Sequence, residues 1–207
     1  MSDGCCSGQL DVAALEAEQR RVLKFVLVIN LSTFAMMVVG AILSGSSALL
    51  SGSLDNLGDA LTYAMSLAVV GAGYAAKARV ALFKGLLILG AAVAVAVQIA
   101  WRLTDLETPI FETMGLFALL NLAANALCLR LLHPFRDSDV NMSSVWECSR
   151  NDVIEGFAVI GAALAVWALD SGWPDILIAT ALLLLFLRSA TRVLRDAFRE
   201  LYAAPAS

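Results

Sequence analysis

Residues 48–66 read Ala-Leu-Leu-Ser-Gly-Ser-Leu-Asp-Asn-Leu-Gly-Asp-Ala-Leu-Thr-Tyr-Ala-Met-Ser. The stretch lies inside an apolar run long enough to cross a bilayer, yet it carries two carboxylates, Asp55 and Asp59. On a helix, positions i and i+4 share one face, with Cβ atoms about 5–6 Å apart. A charged side chain near the bilayer centre costs about 3 kcal/mol on insertion scales. Two like charges on one face therefore need a compensating partner, and a divalent cation is the simplest one.

Working outward, the chain has 207 residues, of which 60% are apolar and only 15% charged. Soluble domains run nearer a quarter charged, about 25%. Apolar runs recur along the whole chain, which predicts an all-α polytopic membrane protein. Six spans are expected at about 22–44, 48–74, 82–103, 113–132, 142–168 and 174–194. They divide the chain into a flexible cytoplasmic tail (1–20), a six-helix transmembrane transporter domain (21–200) and a short cytoplasmic C-terminal tail (201–207). The four cysteines are too few and too scattered for a secreted disulfide framework. Residues 1–20 are polar and acidic, so no cleavable signal peptide is expected.

Six spans put both ends on one side, and the cations agree. Arg20, Arg21, Lys24, Lys77, Arg79, Lys84, Arg130, Arg136, Arg188, Arg192, Arg195 and Arg199 would share that side. Arg102 would face the other side alone, and Arg150 falls within span five. This asymmetry predicts cytoplasmic N- and C-termini. The expected location is a bacterial inner (plasma) membrane.

Span five holds the second polar segment, Trp-Glu-Cys-Ser-Arg-Asn-Asp-Val-Ile-Glu-Gly at 146–156. At about 100° per residue, Ser144, Cys148, Asp152 and Glu155 make one stripe, with Arg150 nearly opposite. The matching stripe in span two is Ser51, Asp55, Asp59 and Thr62. Counting roughly 1.5 Å per residue from the span ends brings both pairs toward the midplane of a core about 30 Å thick. Asp55, Asp59, Cys148 and Asp152 are thus the expected metal ligands, with Glu155, Asn151 and Asn56 in secondary or proton-coupling places. A thiolate with three carboxylates suits Zn²⁺, Cd²⁺ or Co²⁺ better than Mg²⁺ or Ca²⁺. Asn30, Asn121 and Asn125 are expected to join helices by hydrogen bonds. Cys5-Cys6 is read either as a metal-capturing pair at the inner mouth or as incidental, and His133 as a solvated loop residue.

Two segments carry a resemblance. Ser-Ser-Ala-Leu-Leu-Ser-Gly-Ser-Leu-Asp-Asn-Leu-Gly-Asp-Ala-Leu, within residues 46–66, looks like the second span of the cation diffusion facilitators. Residues 141–160, beginning Asn-Met-Ser-Ser-Val-Trp-Glu-Cys-Ser-Arg-Asn-Asp-Val-Ile, are similar to that family's fifth span. The resemblance covers about residues 20–200 and falls residue by residue on Asp55, Asp59 and Asp152. It implies six spans, cytoplasmic termini, a homodimer, and metal efflux coupled to proton influx. The chain departs from the pattern at Cys148, where the family usually has histidine. It is also expected to lack the cytoplasmic metal-binding domain that often follows span six. The expected cargo is Zn²⁺ first, then Cd²⁺, Co²⁺, Fe²⁺ or Mn²⁺. No resident cofactor, covalent chemistry or nucleic-acid partner is implied. A proton-coupled organic-cation exporter and a non-transporting membrane partner subunit are the alternative readings.

Overall fold

The computed structural model describes residues 17–68, 74–137 and 140–203. In its first helix the buried positions are Gln19, Leu23, Val26, Asn30, Thr33, Met37, Gly40, Ala41 and Ser44, spaced three or four apart except for the adjacent Gly40 and Ala41. That period puts them on one face, while Phe25, Val28, Leu31 and Ile42 point outward and stay exposed. The same division repeats along the chain. The elements are α1 (Ala17–Ser44), α2 (Ser47–Ala68), α3 (Tyr74–Thr104), α4 (Phe111–Leu132), α5 (Val140–Leu169) and α6 (Trp173–Ala203), with a 3₁₀ turn at His133–Phe135 after α4. The described residues contain no strand, as the hydropathy pattern predicts.

Helices α1, α3 and α6 extend several residues past the predicted spans. A helix has no reason to stop at the edge of an apolar run, because continuing it keeps satisfying its backbone. Residues 69–73, which would complete the predicted second span, and Cys5-Cys6 lie outside the described residues. Among those described, four helical segments are long and apolar enough to cross a membrane: Ala17–Ser44, Gly85–Thr104, Phe111–Phe135 and Val145–Leu169.

Polarity is turned inside out. Leu, Val, Ile, Phe and Trp side chains, among them Trp101, Trp167 and Trp173, cover the surface. Asn30, Asn56, Asp59, Asn121, Asn125 and Asp152 are buried. An apolar exterior of this extent has no place in water and fits lipid. Helix α2 occupies the centre, packed against α1, α3, α4, α5 and α6. Its serines, glycines and acids would be costly against acyl chains, but the other helices surround them.

One end of α2 is tied down. Gly45, in the turn before it, has φ +70°, and a Cβ there would collide with the guanidinium of Arg102. Arg102 donates to the Gly45 carbonyl, and the Ile110 N–H donates to Ser44 O at 2.9 Å. From α6, the Asp175 carboxylate accepts the Ser46 hydroxyl at 2.5 Å and the N–H groups of Ser47 and Ala48 at 2.7 and 3.0 Å. A carboxylate on the first N–H groups of a helix caps it and complements its dipole. Here the cap comes from another helix, so it also fixes α6 to α2.

Candidate metal site

The polar face of α2 meets α4 and α5 around a small cavity of about 10 Å³, the space of roughly one water or one ion. Its chemistry comes from Asp55 and Asn56 on α2, Asn121 and Asn125 on α4, and Asp152 and Glu155 on α5. Gly52 and Gly156 also line it, and their lack of side chains leaves room between the helices. Asp55 and Glu155 come close enough for their side chains to interact. Two carboxyl groups that share one buried space repel when both are ionised, which favours a proton or a cation between them. Asp59 lies one helical turn along from Asp55, 1% exposed, and accepts the Tyr63 hydroxyl at 2.8 Å. It acts electrostatically on Glu155 and, together with Asp152, on the buried Cys128 thiol.

The amides build the frame. The Thr33 hydroxyl on α1 reaches Asn56 Oδ1 at 3.1 Å, and Asn56 Nδ2 donates to Asn121 Oδ1 at 2.9 Å. This chain ties α1, α2 and α4 beside the cavity. Asn125, one turn below Asn121 and 3% exposed, has an Oδ1 with no hydrogen-bond partner.

A model of the cation efflux transmembrane domain matches residues 23–202. The chain belongs to that family, the cation diffusion facilitators. Two curated relatives are similar to it at 26% identity over 173 residues, which is 77% of this chain and 54% of each relative. They are the metal cation efflux system protein CzcD of Cupriavidus metallidurans and the cation efflux system protein CzcD of an Alcaligenes species. The chain therefore spans about half the length of the relatives it matches.

In this cation diffusion facilitator, Asp55 and Asp152 of the four expected ligands line one cavity, together with Glu155 and Asn56 of the secondary set. Asp59 sits buried just beyond it. Cys148 is buried at 4% exposure but does not line the cavity, and neither does the half-buried Asn151. Among the described residues, no three His, Cys, Asp or Glu side chains converge closely enough to hold a metal ion. The Ser144 side chain lies outside the described set. Thr62 turns its hydroxyl onto the Gly58 carbonyl of its own helix at 2.7 Å. Arg150 is exposed and stacks over Trp146, 5.4 Å from the ring centroid, as the helical wheel predicts.

Sequence reasoning gave no role beside the acids to Tyr63 or Cys128 and read Asn125 only as a helix-joining amide. Tyr63 was readable as a partner of Asp59 from their i, i+4 spacing. Cys128 and Asn125 were not, because only the packing of α4 against α2 and α5 brings them to the acids.

Proposed function

We propose that this protein is a secondary transporter that exports a divalent transition-metal cation, Zn²⁺ among the candidates, from the cytoplasm in exchange for protons. The observation that carries the reading is the Asp55–Glu155 contact in a cavity that Asp152 also lines. Three acids in a low-dielectric space repel when all are ionised, so they hold a proton or a cation. A metal's ligands must be deprotonated, so its entry drives the shared proton out. Rocking of α2 and α5 then exposes the cavity to the opposite side, and protons displace the metal. Asp55, Asp59 and Asp152 supply the charge, Glu155 shares the proton, and Cys148 is the fourth donor that the two-stripe pattern suggests. No bond of a substrate is made or broken, so the activity is transport and not enzymatic. The names of the two relatives, both efflux proteins, agree with this reading.

The cation asymmetry supports a bacterial inner membrane with both termini in the cytoplasm, and the family resemblance supports a homodimer. The test is uptake of Zn²⁺, Cd²⁺, Co²⁺, Fe²⁺ and Mn²⁺ into proteoliposomes under a pH gradient. Uptake of at least one cation that collapses when the gradient is dissipated is the expected result. Uptake of none, or uptake indifferent to the gradient, contradicts the proposal.

A further inference from the structure

An arginine inside a membrane span is costly and is normally held by a partner. Two stand at matching depths on neighbouring helices. The apolar segment of α4 ends at Phe135 and carries Arg130, and that of α5 begins at Val145 and carries Arg150. Each arginine lies five residues inside its segment (130 against 135, 150 against 145), roughly 8 Å at 1.5 Å per residue. Both are exposed on the outside of the bundle. The ion pairs among the described residues are Arg102 with Glu107 and Arg136 with Asp137, so neither Arg130 nor Arg150 has one. Glu147, one turn before Arg150, makes none either.

Packing brings the two arginines to one seam. Helices α4 and α5 run antiparallel side by side, and a Cβ on Gly156 would lie 3.2 Å from the Leu122 side chain. From that contact, Arg130 is eight residues on along α4 and Arg150 six residues back along α5, toward the same end of the bundle. At about 1.5 Å per residue their backbones differ in height by only roughly 3 Å. Their helical-wheel angles, about 80° and 120° from the contact, turn both to the same side of the seam. Arg150 lies over the Trp146 ring, 5.4 Å from its centroid. Trp146 itself packs on the cluster that holds Leu132 and Met142. It is one turn nearer the start of α5, and helical side chains lean that way, so the guanidinium is drawn toward the membrane surface.

Two cations fixed on facing helices repel each other unless an anion lies between them. A guanidinium presents a planar fork of N–H donors that matches a phosphate, and stacking on an indole leaves that fork free to donate. We propose that the α4–α5 seam binds an anionic phospholipid, with its phosphate between Arg130 and Arg150 and its acyl chains along the exposed Leu127, Ile154 and Phe157. The lipid is favoured over a soluble anion because these arginines sit among apolar side chains, where a free phosphate would give up its hydration. The bound lipid ties α5 to α4 from outside, while the acids of α5 face the cavity on the inside. This site goes beyond the transport reading and does not depend on it.

The test follows lipid binding to the delipidated full chain in detergent by native mass spectrometry. The probes are phosphatidylglycerol and phosphatidylcholine with the same acyl chains; the phosphate of the second is offset by its own ammonium. Phosphatidylglycerol is expected to bind saturably, and phosphatidylcholine about tenfold or more weakly. Arg130→Gln and Arg150→Gln are each expected to weaken phosphatidylglycerol by about tenfold. Arg195→Gln, at an exposed arginine of α6, is expected to leave it unchanged. Excess glycerol phosphate is expected not to displace the lipid. Parental binding in Arg130→Gln and Arg150→Gln overturns the proposal, as does equal binding of the two lipids. An equal loss in Arg195→Gln overturns it in favour of diffuse charge attraction, and displacement by glycerol phosphate overturns the lipid as the occupant. Should one of the two seam variants fail to fold, the other decides the matter.

Discussion

The bundle buries carboxylates in two places and treats them differently. At the end of α2, Asp175 is 1% exposed and accepts one hydroxyl and two backbone N–H groups. In the cavity, Asp55 meets another carboxyl, Glu155, and shares the space with Asp152. The first acid is satisfied by the protein and holds the helices together. The second group gathers carboxyls of like sign around one space, where a proton or a metal offsets their repulsion. Burial alone does not distinguish a structural acid from a transporting one; the identity of its partners does.

The largest expected effect is at the cavity. Asp152→Asn should reduce metal uptake in proteoliposomes to the protein-free background while leaving the melting temperature at or above that of the parent, because it removes a charge from a repelling set. Asp59→Ala should act in the same direction. A normal uptake rate in either variant would mean that the site is misplaced.

The clamp should give the converse result. Asp175→Ala leaves the Ser47 and Ala48 N–H groups without their cap and should lower stability by about 2 kcal/mol. Thermal unfolding in detergent would register this, and cation affinity should change by no more than roughly threefold, half of the 1.4 kcal/mol decade. Loss of binding with unchanged stability would erase the distinction between the two acids. Gly45→Ala should cost about 1–2 kcal/mol, since an L residue must enter the left-handed region while the Arg102 guanidinium moves aside. A melting curve that matches the parent's would show that the turn has room to spare.

The smallest effect is expected at Cys148. It is the one soft donor among the four proposed, so Cys148→Ser should weaken Cd²⁺ while leaving Mn²⁺ affinity within roughly threefold. Parental Cd²⁺ affinity in the variant, measured by titration, would remove the thiol from the ligands.

The fold was legible because apolar runs in this chain are long and punctuated. Helix faces were legible because the angle per residue is fixed: Arg150 points away from the stripe and Asp55, Asp152 and Glu155 point toward one another. Axial register was legible in part. Counting from span ends sets Asp55 at the depth of Asp152, and the two line one cavity. Glu155, about one helical turn farther along α5, joins them there. The different fates of Asn121 and Asn125 were not legible at all. Both sit on one face of α4, and only the position of Asn56 on α2 decides which oxygen is taken.

Proton release on metal binding tests the central claim most directly. The purified protein, in weakly buffered detergent solution, is mixed with the cation found to be transported, and the pH is followed. Exchange at the Asp55–Glu155 pair predicts release of about one proton or more per cation bound, because ligand carboxyls must give up their protons. That release should fall in Glu155→Gln. Saturable cation binding with no proton released by the parent would contradict the account.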